Sequence, residues 1–210
     1  MCEIFTFPDT AFHDNKAEIL ATIEASIYEN PHGFTVCTPT LTLQTVQRSS
    51  ESMRKYAERC VQLLRNLTVD QRVWIHTRYA TTAFIGVTEC HGFSDVNDSR
   101  ATRYMHNGVL HGELYNSWGL RVDSFELSQY ASDARVNGKT LREHLLGIGE
   151  SFANIFSIDE GSWKVTRMSG GTLYQNVPES PDKICYSSRP LDFIDCAIPV
   201  RHNTERAYFL

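Results

Sequence analysis

Cys2, the second residue of the sequence, has the side chain and the position of a possible nucleophile. Once Met1 is removed, one residue carries both a thiol that can attack a carbonyl carbon and a free α-amine that can accept the proton. An α-amine has a pKa of about 7.7 to 8.0, so preparing this base at pH 7 costs only about 1 kcal/mol, against about 4 to 5 kcal/mol for a lysine. From the position alone, a cysteine that is there by chance is the favoured explanation.

Two further segments, residues 76–81 and Asn107-Gly108, carry polar groups that could form part of an active site. In residues 76–81, Arg78 lies at the end of an alternating stretch, although a lone arginine at a strand end is most often a salt-bridge partner. Asn107-Gly108 is typical of a tight turn with φ > 0. Such a turn can direct the Asn107 amide and the Gly108 N–H to one point, as an oxyanion hole requires, but a plain hairpin explains the pair equally well.

Predicted strands position these segments. Residues 72–78 alternate strictly, with Trp74, His76 and Arg78 on one face and smaller or aliphatic side chains on the other. Residues 2–7 form a short apolar run, so Cys2 is expected at a strand end. Residues 34–47, rich in Thr and Val, are expected to be extended.

Two helices are predicted in the first third of the chain. Isoleucines at every fourth position from 19 to 27 indicate an amphipathic helix that begins near Asp14 or Asn15 and ends before Pro31. A second helix is expected from Ser49 or Ser50. Its apolar stripe consists of Met53, Tyr56, Cys60 and Leu63.

The rest of the chain predicts helices near 124–131 and 140–146, then short strands at 152–158, 163–168, 172–175 and 183–187 that suggest an antiparallel meander. There is no linker, repeat or charge block. A single α+β domain over residues 1–210 is therefore predicted.

The composition and charge of the chain argue against a nucleic-acid-binding protein and against a membrane-spanning one. Of 210 residues, 41% are hydrophobic and 21% charged, and the net charge of -5 argues against a large face for nucleic acid. No apolar run approaches the roughly 18 to 20 residues of a membrane span, and the first residues are unlike a signal peptide. We predict a cytoplasmic protein without a nucleic-acid or membrane partner.

The six cysteines form no CxxC pair, and most are expected to be buried as small hydrophobic residues. A cluster of Cys90, His91, His106 and His111 matches no standard zinc spacing. No metal is predicted.

Taken together, the motifs resemble the glutaminase domain of class II glutamine amidotransferases, which are N-terminal nucleophile (Ntn) hydrolases. The resemblance covers nearly the whole chain in order and spacing. The matching pieces are residues 1–5, 76–81, 91–93, 106–110, Asp123-Ser124 and 152–188.

The resemblance implies a four-layer αββα sandwich, with two antiparallel sheets between helix layers. It implies that Cys2 forms a γ-glutamyl thioester and releases ammonia, and that water then hydrolyses the thioester with the same α-amine as base. Asn107 and the Gly108 N–H would hold the tetrahedral oxyanion, and each such donor contributes about 2.7 to 4 kcal/mol.

The resemblance also assigns the substrate-binding residues. Arg78 would bind the α-carboxylate of glutamine in a bidentate pair, and Asp123 would accept its α-ammonium group. Thr81 and the adjacent turn, including Tyr79, would line the pocket. No cofactor is predicted.

Four positions depart from the family pattern. Glu3 replaces a small Gly, and Gly92 replaces a common Pro. Thr82 and Phe125 also differ from the residues that many members of the family have at these positions. Glu3 could alter packing beside the site or add a charge to it. Because the nucleophile, oxyanion donors, carboxylate clamp and ammonium acceptor all remain, these changes bear on substrate preference more than on reaction type.

The predicted activity is hydrolysis of L-glutamine to glutamate and ammonia. Because a glutaminase-like domain accounts for all 210 residues, a separate synthase protein is expected to receive the ammonia. One alternative is a γ-glutamyl amidohydrolase that acts on a γ-glutamyl conjugate. The other is a catalytically idle binding module that has kept the fold.

Overall fold

A computed structural model describes residues 2–80, 86–87, 90–94, 102–108, 110, 126–149, 153–159, 161–168, 172–191, 198–200 and 204–210. In chain order the elements are β1 (Glu3–Pro8), α1 (Asp9–Asp14), α2 (Lys16–Glu29), β2 (Gly33–Cys37), β3 (Thr42–Thr45), α3 (Met53–Asn66), β4 (Arg72–Arg78), β5 (Phe93–Ser94), β6 (Arg103–Gly108), α4 (Glu126–Val136), α5 (Leu141–Gly147), β7 (Ala153–Ile158), β8 (Ser162–Arg167), β9 (Tyr174–Gln175), β10 (Tyr186–Ser187), β11 (Ile198–Pro199) and β12 (Thr204–Phe209).

The strands form two antiparallel sheets. In the described residues the larger sheet has the order β11-β9-β10-β1-β4-β2-β3 and the smaller has the order β12-β8-β7-β6-β5. Strand β1 lies between β4 and β10, with Glu3 opposite Thr77 and Phe5 opposite Ser187. Strand β1 is therefore an interior strand of the larger sheet.

Alternation of side chains along the strands produces the layers. One face of the larger sheet, with Phe5 and Val73, packs against α1, α2 and α3, while Trp74 on the opposite face packs against Phe156 and Trp163 of the smaller sheet. Helices α4 and α5 cover the outer face of the smaller sheet. The predicted α+β fold, with two antiparallel sheets between helix layers, is confirmed.

Strand β4 and helix α2 lie where their sequence periods predicted. All seven residues of β4 are buried, because one face meets helices and the other meets the second sheet. Helix α3 begins later than expected, at Met53, where the Ser52 hydroxyl caps it by accepting a bond from the Lys55 N–H at 3.4 Å. Its buried stripe includes Leu64 rather than Leu63.

Two predictions about connections are wrong. Asn107-Gly108 is not a hairpin turn but the end of β6, where the two residues pair with Asn154 and Ala153 of β7. The C-terminal strands are not one meander, because β7 and β8 belong to the smaller sheet and β9 and β10 to the larger. The patterns also missed α1 and β12.

No helix in the described ranges is long and apolar enough to cross a membrane.

Candidate active site

Cys2 lies where β1 begins, beside the carboxyl end of β4. The Tyr79 backbone contacts the thiol through both of its polar groups: its N–H donates to Cys2 Sγ at 3.3 Å, and the thiol donates to the Tyr79 carbonyl oxygen at 3.4 Å. An N–H that donates to sulfur stabilises negative charge there. This contact uses the Tyr79 backbone, whereas its side chain is 45% exposed and lies beside the His32 ring.

The other cysteines that the structure describes lie in the interior. Cys37, Cys60, Cys90 and Cys185 are buried, whereas Cys2 is half-buried. Burial raises the thiol pKa to about 11 at Cys37 and Cys185 and to about 12 at Cys60. The prediction that most cysteines are buried holds for these four.

Asn107 reaches Cys2 from the opposite sheet. Its side-chain amide donates a hydrogen bond to the Cys2 carbonyl oxygen, and the residue is buried. Gly108, the last residue of β6, has φ +130°, a conformation that favours glycine. The structure thus brings the predicted nucleophile and one predicted oxyanion donor together across the inter-sheet space.

Arg78 ends β4 and is buried. The chain passes it closely at Gly33, where an added Cβ would lie 2.9 Å from Cys90 Sγ and 3.2 Å from Arg78 Cβ. Burial, and secondly the charge of Arg78, lowers the pKa of His32, whose Nδ1 accepts a bond from the Ala80 N–H at 2.9 Å. Arg78 is therefore a positive charge one residue away from the backbone that contacts the thiol.

Three buried imidazoles connect the two sheets behind the site. The His76 ring stacks on His91 with centroids 3.6 Å apart, and His91 stacks on His106 at 4.6 Å. Burial is the main cause that lowers the pKa of His76 and His91 well below the usual value, and the neighbouring imidazoles and Arg78 lower both further.

The rings lie parallel and do not converge on a common point. The described ranges contain no group of three or more His, Cys, Asp and Glu side chains arranged to hold a metal ion. His111, the fourth residue of the cluster considered from the sequence, lies outside those ranges.

The Glu3 side chain lies on the opposite face of β1, toward the helix layer. It accepts hydrogen bonds from the Ser26 hydroxyl and from Arg189 Nε, the latter at 2.8 Å. Thr77 Oγ1 lies 2.6 Å from Ser26 Oγ, so this polar cluster also includes the neighbouring strand β4. Glu3 therefore fixes the start of β1 to α2 and does not extend its charge into the inter-sheet space.

Gly92 has φ +93°, which a proline ring cannot adopt, so the departure from Pro at this position suits the local backbone. The remaining predicted positions, Thr81 and Asp123, and the departures Thr82 and Phe125 lie outside the described residues.

Two site-adjacent residues were missed by the sequence reasoning. Asn154 Nδ2 donates to Asn107 Oδ1 at 3.2 Å, and Arg167 Nη1 donates to Asn154 Oδ1 at 2.6 Å. A polar residue at an inward position of a strand is the signal that could have identified both, because inward positions are otherwise apolar.

No family model and no curated protein matches the sequence. Among solved structures, one described as the allosteric regulatory enzyme of purine biosynthesis aligns with a TM-score of 0.60 and 12% identity, over 96% of this chain and 44% of that one. Glutamine phosphoribosylpyrophosphate amidotransferase from B. subtilis aligns with a TM-score of 0.51 and 12% identity, over 100% of this chain and 49% of that one.

A shorter protein matches along most of its length. A glutamine aminotransferase class-II domain protein from Silicibacter pomeroyi has a TM-score of 0.52 and 13% identity, over 98% of this chain and 94% of that one. The 210 residues thus span less than half of the two longer chains and nearly all of the shorter one. The chain has the fold of the class II, Ntn-type glutamine amidotransferase structures.

Proposed function

We propose that this chain hydrolyses the side-chain amide of L-glutamine to glutamate and ammonia, with Cys2 as the nucleophile. The observation that carries the proposal is that Cys2, with a half-buried thiol, accepts a hydrogen bond at its backbone carbonyl oxygen from the Asn107 side-chain amide of the facing sheet. The fold supports the same class of activity, because two of the similar structures are described as amidotransferases that use glutamine.

The reaction begins once Met1 has been removed. The Cys2 sulfur attacks the side-chain carbonyl carbon of glutamine while the α-amine takes the thiol proton. Asn107 and the Gly108 N–H stabilise the oxyanion. The α-ammonium group of Cys2 then protonates the leaving nitrogen of the substrate amide. This nitrogen departs as ammonia and leaves a γ-glutamyl thioester on Cys2. Water adds to this thioester, loses a proton to the same amine and releases glutamate with the free thiol.

The charged end of the substrate needs one cation and one anion. In this proposal Arg78 binds the α-carboxylate, Asp123 binds the α-ammonium, and Tyr79 and Thr81 line the pocket between them. The support for Arg78 is its place at the end of β4, directly before the Tyr79 backbone that contacts Cys2 Sγ.

We further propose that residues 1–210 act as one glutaminase-like domain that passes ammonia to a separate synthase protein. The 210 residues align with 44% of the purine-biosynthesis enzyme and with 49% of the B. subtilis amidotransferase. An acceptor protein that raises glutamine turnover or receives the nitrogen of amide-labelled glutamine would support this part.

The test is a glutaminase assay on protein whose N-terminus has been defined by intact mass. We expect Met1 to be absent, glutamine to be hydrolysed, and Cys2→Ala to reduce turnover to the background rate. Lys164→Gln, an exposed change on β8, is the matched control and should leave turnover unchanged. Retained Met1, or unchanged turnover in Cys2→Ala, would contradict the proposal.

Two further outcomes identify the alternatives. Mass spectrometry of the products formed from glutamine and from γ-glutamyl amides distinguishes the two enzymes. Turnover of γ-glutamyl amides without turnover of glutamine would identify an amidohydrolase for γ-glutamyl conjugates. Tight binding of glutamine without release of ammonia would identify a binding module.

A further inference from the structure

A row of three buried polar residues crosses the smaller sheet beside the site. Asn107 of β6 pairs with Asn154 of β7, and Asn154 pairs with Arg167 of β8, so the three are cross-strand neighbours. Their exposed fractions are 2%, 0% and 4%. Hydrogen bonds join them in sequence, from Arg167 to Asn154 at 2.6 Å and from Asn154 to Asn107 at 3.2 Å.

The bonding has only one possible direction. A guanidinium group donates and cannot accept, so the Asn154 atom that faces Arg167 must be Oδ1. Asn154 Nδ2 must then face the other way, where it donates to Asn107 Oδ1 and, at 3.1 Å, to the Thr172 carbonyl oxygen. Because the Thr172 carbonyl only accepts, it enforces the same orientation independently.

The same reasoning fixes Asn107. Its Oδ1 is occupied by Asn154, so its Nδ2 points to Cys2, where one N–H donates to the Cys2 carbonyl oxygen. A side-chain amide has a second N–H, which can serve another acceptor at this point. An amide flipped by half a turn would instead present a carbonyl oxygen to developing negative charge.

We propose that Arg167, acting through Asn154, is a positioning residue that holds the Asn107 N–H groups toward the reacting centre. This inference rests on the proposed function for its effect on rate. The orientation itself rests only on the hydrogen bonds. A donor fixed before the reaction stabilises an oxyanion without the cost of reorganisation, and loss of one such donor lowers kcat by about 10² to 10³.

Asn154→Asp is the most direct test, because aspartate has nearly the same shape and still accepts from Arg167. A carboxylate cannot donate to Asn107, so the Asn107 amide is expected to turn its N–H groups away from Cys2. We expect kcat for glutamine to fall about 10²-fold or more while KM changes by less than about threefold. A merely structural role would leave kcat unchanged in protein that is folded.

A second pair of variants keeps the test valid if Asn154→Asp does not fold. Arg167→Lys retains a cation that can only donate, whereas Arg167→Gln can present either a donor or an acceptor to Asn154. We expect Arg167→Lys to keep most of the kcat and Arg167→Gln to lose it. Lys164→Gln on the same strand is the control for changes in β8 that do not touch the row.

The side-chain amide resonances of Asn107 supply a readout besides activity. They should shift in Asn154→Asp and Arg167→Gln and stay in place in the Lys164→Gln control. If the wild type does not hydrolyse glutamine but these shifts occur, the proposed function fails while the orienting role stands. If the wild type is active and kcat falls less than threefold in both variants, the positioning role is overturned, whatever the resonances do. Unmoved resonances overturn it as well.

Discussion

The Cys2 thiol differs from the other described thiols in both exposure and surroundings. Burial holds Cys37, Cys60 and Cys185 with pKa values of about 11 to 12, so almost none of each is thiolate at neutral pH. Cys2 is half-buried and receives an N–H bond from Tyr79. Reactivity toward electrophiles is therefore expected to be concentrated at one residue.

An electrophilic glutamine analogue should label Cys2 alone among the described cysteines. Peptide mapping after brief exposure at pH 7 checks this, with excess glutamine as competitor to show that labelling occurs in the substrate pocket. Cys2→Ala is the matched control and should abolish labelling. Modification spread across Cys37, Cys60, Cys90 or Cys185 in folded protein would contradict the prediction.

The start of β1 is held by one ion-pair cluster. Arg189 contacts Glu3, whose side chain is 14% exposed, and also contacts Glu29 of α2, whose side chain is 63% exposed, at 2.6 Å. Exposed pairs are screened by water and contribute little, whereas partly buried pairs with several hydrogen bonds contribute more. The Glu3 contact should therefore dominate the stabilisation of this end of the strand.

Double-mutant cycles measure the two contacts separately. With Glu3→Gln, Glu29→Gln and Arg189→Met, we expect a coupling free energy of about 1 to 2 kcal/mol for Glu3–Arg189. For Glu29–Arg189 we expect less than about 0.5 kcal/mol. Urea unfolding of each single and double variant supplies the free energies. Equal couplings would show that the exposed pair contributes as much as the partly buried one.

Elements with strong internal periods were predictable, and those fixed by distant partners were not. Strand β4 was predicted with its observed bounds because alternation is a property of seven consecutive residues. Asn107-Gly108 was misassigned because the local preference of Asn-Gly for turns yields to pairing with β7. Asn154 was missed because its partner Asn107 is 47 residues away and no local pattern identifies it.

The imidazole stack joins β4 of one sheet to β6 of the other. His76 is completely buried, and burial, followed by the electrostatic effects of His106 and Arg78, lowers its pKa well below the usual value. The same holds for His91, whose Nδ1 already accepts the His106 N–H at 3.0 Å. Both rings therefore have a lower pKa in the folded protein than in the unfolded chain.

This arrangement makes the free energy of unfolding depend on pH in a defined direction. Below about pH 6.5 unfolded histidines bind protons and the buried ones do not, so the unfolded state gains stability as pH falls. Each such histidine lowers the unfolding free energy by up to about 1.4 kcal/mol per pH unit. The contribution of His76 and His91 is thus complete above pH 6.5 and declines below it.

His76→Phe should reduce this pH dependence, because it keeps a flat ring that stacks on His91 and cannot take up a proton in either state. Between pH 6.5 and pH 5, we expect the slope of unfolding free energy against pH to fall by up to about 1.4 kcal/mol per unit, as one histidine is removed. Urea unfolding at several pH values measures the slope. His144→Phe, on α5 outside the stack, is the control. An unchanged slope in His76→Phe would mean that His76 takes up its proton equally well in the folded and the unfolded protein, and burial in the stack would then not be a source of the acid sensitivity.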